Sequence, residues 1–103
     1  MGQSTAAKLA ALQRDAAEGC LAALKKLGAA HSGENNQWSK DLGLKKKDPA
    51  EAVKYYRRAA DEHRDKDAQF FLARRLAKGE GVDRADAPEA ARYYELAAKQ
   101  GGG

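Results

Sequence analysis

KDLGLKKKDPAEAVKYYRRAA, Lys40 to Ala60, and KGEGVDRADAPEAARYYELAA, Lys78 to Ala98, decide the fold. Set one under the other, they pair Gly43 with Gly81, Asp48 with Asp86, Glu51 with Glu89 and Ala52 with Ala90. Tyr55-Tyr56 then fall on Tyr93-Tyr94, and Ala59-Ala60 on Ala97-Ala98, at a constant offset of 38 residues. A fixed period of this length marks a repeat architecture, in which each unit buries its apolar face only by stacking on a neighbour.

Each copy opens as a helix does. Asp48 is placed as N-cap to accept bonds from free backbone amides, Pro49 suits the first helical position, and Glu51 completes a capping-box spacing. Asp86 and Glu89 repeat that spacing, with Pro88 in the first turn. Beyond the caps, alanines and tyrosines recur at three- and four-residue steps and form one stripe per helix. Small alanines admit a neighbouring helix closely, and the tyrosines fill the space beside it.

Working outward, a second helical pattern precedes each copy. Ala68, Leu72 and Leu76 step by four behind Asp65 or Asp67 as cap, and Ala23, Leu27 and His31 step likewise. That second offset is 45, seven more than 38, so the first copy holds a seven-residue insertion within 32–41. The stretch SGENNQWSKD is polar and turn-rich, and reads as an extended loop. Ser4 to Glu18 is alanine-rich with Leu9 and Leu12, and favours a further helix. Five helices are expected: Ser4–Glu18, Cys20–His31, Asp48–Glu62, Asp67–Lys78 and Asp86–Gln100, the last stopped by Gly101. The organisation is a capping helix at 1–18, a first repeat at 19–64, a second at 65–101, and a flexible tail at 102–103.

Composition agrees. The chain has 103 residues, enough for one domain, with two valines, one threonine and no isoleucine to support a sheet. The class is all-α, with a thin, alanine-rich core. Cys20 is the only cysteine, which excludes an internal disulfide, and it reads as a small buried hydrophobe. No apolar run approaches the roughly 20 residues of a membrane span, and no secretory apolar region opens the chain. A cytoplasmic setting is expected. The net charge of +4 comes from scattered pairs such as Arg57-Arg58 and Arg74-Arg75, which read as solvated helix faces and bias the surface towards acidic partners.

The pattern resembles the Sel1-like repeat, a relative of the tetratricopeptide repeat. The second copy carries it as Ala68, Leu72-Ala73, Leu76, Gly79, Gly81-Val82, Asp86, Glu89-Ala90, Tyr93-Tyr94, Ala97-Ala98 and Gly101. The first carries it as Gly19, Ala23, Leu27-Gly28, Gly43-Leu44, Asp48, Ala52, Tyr55-Tyr56 and Ala59-Ala60. Tetratricopeptide repeats have a shorter period, about 34, and lack the Gly-x-Gly-Val turn. The resemblance implies antiparallel helix pairs stacked as a short right-handed α/α superhelix. It also implies an adaptor or scaffold whose first helices line a concave surface for a peptide or protein, with no catalytic residues.

Residues that could carry chemistry are few and scattered. His31 and His63 lie on different helices without a metal-ligand cluster, and His31 reads as a packing residue. No phosphate loop is present, so no enzyme, cofactor or metal is assigned. Register against the repeat points to Lys26, Phe71, Arg75 and Lys78 as partner-binding residues, with Phe70 as the core member of the Phe70-Phe71 pair. An apolar ring flanked by cations suits a peptide with acidic and hydrophobic side chains. Charge reversal at Arg75 and Lys78 is then expected to weaken binding without unfolding the domain. Trp38, in the inserted loop, either tucks onto the helices or stands out as a binding anchor.

Two alternatives remain. The charge would suit RNA binding, although no basic stripe is interleaved with aromatics. Met1-Gly2-Gln3-Ser4-Thr5-Ala6 partly fits an N-myristoylation signal at Gly2, which would make a membrane-associated adaptor. Two repeats are few for a solenoid, and self-association through the last helix would use Tyr94, Leu96 or Ala97.

Overall fold

Aspartate caps start three helices as expected. In the computed structural model, which describes residues 4–34 and 36–102, the Glu51 amide donates to the Asp48 side chain and the Glu89 amide to Asp86. Asp65, rather than Asp67, caps the helix before the second copy through the Ala68 amide. Gly2 and Gly103 lie outside the described residues.

The helices are α1 (Thr5–Ala17), α2 (Leu21–Ser32), α3 (Asn36–Asp41), α4 (Pro49–Glu62), α5 (Lys66–Lys78) and α6 (Ala87–Ala97), with no strand among the described residues. The all-α class is correct, but the described residues form six α-helices, not five. The stretch 32–41 is not an extended loop. Gly33 stops α2 in the left-handed conformation, and six residues then wind into α3. The Ser39 hydroxyl donates to the Ala30 carbonyl at 2.7 Å, while Trp38 and buried Leu42, one turn apart, pack against the core. Two apolar anchors at helical spacing outweigh the turn-forming composition.

The other end differs as well. Gly101 does not stop the last helix, because a π turn over Ala98–Gly102 carries it on. Cys20 is not buried: it is the exposed N-cap of α2, one residue ahead of the helix that was expected to enclose it.

Packing follows the order α1, α2, α4, α5, α6, with α3 against α2, in a body measuring 46 × 24 × 21 Å. Helix α4 lies between α2 and α5 and is apolar on two adjoining flanks. Towards α2 it shows Ala52 and Ala59, and Tyr55 stacks on His31 at 5.9 Å. Towards α5 it shows Val53, Tyr56 and Ala60, all buried, with Tyr56 stacked on Phe71 at 5.4 Å. Helix α6 turns Ala90, Tyr93 and Ala97, the equivalents of Ala52, Tyr55 and Ala59, onto α5.

Two glycines show how closely the layers approach. A Cβ on Gly28 would stand 2.7 Å from the Tyr56 ring, so α2 meets α4 only because that position is bare. Gly81, at φ +77°, brings the α5–α6 turn against α4, where a Cβ would strike the Pro49 carbonyl.

Polar ties cross the same seams. Lys25 on α2 donates to Asp65 and Asp67 at the start of α5, both at 3.3 Å. Tyr93 donates to Asp61 at 2.7 Å, and Arg57 pairs with Glu89 at 3.1 Å. The two repeats are thus joined by ion pairs as well as by apolar contact.

Candidate protein-interaction surface

The expected partner-binding residues sit on α2, α3 and α5, and the structure divides them into three groups. Lys26 and Trp38 come together. The Lys26 ammonium lies 5.7 Å from the centre of the indole ring, a cation–π arrangement in which both side chains are half-buried. Trp38 also packs against the core, so the tucked-in reading of that residue is the one observed. Lys26 further lines a cavity of about 290 Å³ between α1, α2 and α3, with Lys8, Asp15 and Asp41 on its walls. Two lysines and two aspartates make that cavity mixed in sign.

Phe71 and Arg75 serve the fold. Phe71 is half-buried against Tyr56, whereas Phe70 is 45% exposed, so the assignment of Phe70 to the core is reversed. The exposed ring lies under the Arg74 guanidinium, 6.0 Å away, and edge-on to Tyr94 at 5.7 Å. The reason is rotational: α5 directs Ala68, Leu72 and Leu76 inward, and Phe71 flanks that row on the α4 side.

Arg75 is not a free cation. Its side chain is 12% exposed, with Nη2 donating to Glu34 at 2.6 Å and Nη1 to Glu80 at 3.1 Å. Glu34 also accepts from the Tyr56 hydroxyl at 2.7 Å. Three segments therefore meet at one carboxylate: the inserted segment, α4 and α5. Burial, and then the Glu34 carboxylate, hold the Tyr56 phenol well above its ordinary pKa. Reversing the charge at Arg75 would set three carboxylates together, so the expectation that this change spares the fold is corrected.

Lys78 is exposed in the last turn of α5, where a cation also meets the negative end of the helix. Lys25, absent from the expected set, spans the repeats. Burial lowers its pKa, but Asp67 and Asp65 outweigh that and leave it raised.

The insertion creates one more feature. Lys40 and Lys45 rim an open hollow of about 550 Å³ with Asn36, Ser39 and Leu44, which exists only because α3 forms. The sequence signal for it was the Trp38–Leu42 spacing inside the polar stretch. Among the described residues no group of histidine, cysteine and carboxylate side chains could hold a metal ion, and no helix is long and apolar enough to cross a membrane.

Comparison with known proteins places this architecture. No curated protein and no solved structure matches significantly. The model of the Sel1 repeat matches twice, over residues 22–63 and 66–102, one match for each helix pair described above. Together these cover well over half of the sequence, and the chain belongs to the Sel1 repeat family.

Proposed function

We propose that the chain is an adaptor that binds a peptide or protein on the side formed by α2, α3 and α5. Sel1 repeats are in general protein–protein interaction modules built as non-enzymatic helical scaffolds, and that coarser statement holds for this chain by membership. The finer reading is carried by one observation: the Lys26 ammonium held over Trp38 beside a cavity. Trp38 is tucked in but only half-buried, so the exposed part of its indole and the cation fixed on it present an apolar plate and a charge at small entropic cost. Lys40 and Lys45 rim the hollow beside α3, and exposed Lys78 adds a cation at the end of α5, which favours a partner with acidic side chains beside an apolar one. Phe71 and Arg75 hold this side in shape from beneath. A cytoplasmic partner is the simplest one for a chain with an exposed thiol at Cys20.

Affinity capture from the source cell with mass spectrometry supplies partners, and titration of a captured partner's peptide tests the surface. Trp38→Phe, which keeps an aromatic ring packed under α3, and the pair Lys26→Glu with Lys78→Glu should each weaken binding, the lysine pair at least tenfold, while far-ultraviolet circular dichroism stays unchanged. Unchanged affinity in both variants would remove this surface from the account. A nucleic acid that binds with steep salt dependence and is lost in the same lysine variant would transfer the surface to RNA.

A further inference from the structure

The repeat supplies its own control for the outward side of α6. In α4 the flank facing the next repeat is buried: Val53 is 6% exposed, Tyr56 1% and Ala60 2%, under α5 and the Gly81 turn. The equivalent residues, Ala91 and Tyr94 on α6 and Ala98 at its C-cap, are all exposed, and Ala87 extends the row where α4 has Pro49. A helix flank meant for water carries charge. This one carries none, and Phe70 of α5 enlarges it with a ring 5.7 Å from Tyr94. Of the residues named from sequence for this end, only Tyr94 lies on the flank, since Ala97 is buried against α5 and Leu96 stands on the opposite side of the buried stripe.

We propose that this flank is a dimer interface, covered by the same flank of a second copy of this chain. It repeats, one unit on, the flank by which α4 receives α5, so its chemistry is that of a surface that accepts a helix elsewhere in the chain. Among the described residues the two most exposed aromatic rings, Tyr94 of α6 and Phe70 of α5, both lie here, while the apolar rows of α2, α4 and α5 are buried within their own stack. The row is also self-complementary. In an antiparallel pair of α6 helices, a two-fold axis between Ala91 and Tyr94 seats each Tyr94 over the partner's Ala91 and each Ala98 over the partner's Ala87. Each Tyr94 meets an alanine at the central steps, alanine meets alanine at the outer ones, and Phe70 closes the edge.

Sedimentation equilibrium of the full chain, with reductant present to keep Cys20 from cross-linking, tests this directly. The expected result is a reversible monomer–dimer equilibrium with a measurable dissociation constant. Ala91→Lys and Tyr94→Lys change exposed residues, and should each raise that constant at least tenfold with unchanged helicity. A chain that stays monomeric at millimolar concentration overturns the proposal, as does a dimer indifferent to both variants or growth beyond two copies. Peptide binding at Lys26 and Trp38 should be unaffected by Ala91→Lys, so the two surfaces fail or stand separately.

Discussion

Gly28→Ala tests the stacking of α2 on α4 because two effects of known size oppose each other there. In an ordinary helix interior the change stabilises by about 1 kcal/mol. Here the added methyl would stand 2.7–3.0 Å from three carbons of the Tyr56 ring. That ring cannot retreat: it is 1% exposed, stacks on Phe71 at 5.4 Å, and its hydroxyl is fixed to Glu34 at 2.7 Å. Overpacking of this kind costs about 1–3 kcal/mol, so the net effect is a loss of up to about 2 kcal/mol. For a chain of this size that lowers Tm by several degrees, about 4–8 °C per kcal/mol. The second copy is consistent, since the position equivalent to Gly28 carries Ala73 where the equivalent of Tyr56, Tyr94, is exposed. Thermal melts by circular dichroism should be run as a cycle with Tyr56→Leu. In that background the methyl has room, and Gly28→Ala should recover the helix gain of about 1 kcal/mol. If Gly28→Ala raises Tm in the native background, α2 and α4 do not meet as described.

Three further outcomes follow from the same structure. Burial and carboxylate partners raise the phenol pKa of Tyr56 and Tyr93, so the folded state retains protons that the unfolded state loses above about pH 10; stability should be complete below that pH and fall above it, by about 1.4 kcal/mol per pH unit for Tyr56, and urea titrations from pH 9 to 11 should show a shallower fall in Tyr56→Phe. Arg75→Met leaves Glu34 with Tyr56 alone and should cost about 1–3 kcal/mol by urea denaturation, whereas Lys78→Met should cost less than about 0.5 kcal/mol. Trp38 is packed against α2, so its emission should lie at shorter wavelength than free indole and move to longer wavelength in Leu42→Ala, which loosens α3.

What the sequence made legible was whatever local physics controls. Asp48, Asp86 and the prolines beside them fix where helices begin without reference to any neighbour, and those starts were placed correctly. The duplicated tyrosines and alanines located the apolar flanks, because any stripe at helical spacing must be covered. Rotation within a stripe was harder to read. Phe70 and Phe71 are adjacent and chemically alike, and only the position of α4 decides that Phe71 is the one against Tyr56. In the same way Arg75 looks like a surface cation until Glu34, 41 positions away, is brought beside it. The inserted stretch misled by composition: its polar residues suggested a loop, while Trp38 and Leu42 supplied the two contacts that fold α3. Cys20 is the cap of α2 rather than part of its first turn, and the buried row of that helix begins only at Ala23.

The account depends on Tyr56 standing where α2, α4 and α5 meet. Nuclear Overhauser measurements on the full chain address this directly: the Tyr56 ring protons should show contacts both to the Gly28 α-protons and to the Phe71 ring, with the Gly28 protons shifted upfield by the aromatic current. A Tyr56 ring with neither contact, averaging freely as an exposed phenol does, would contradict the stacked-repeat arrangement and the surface built on it.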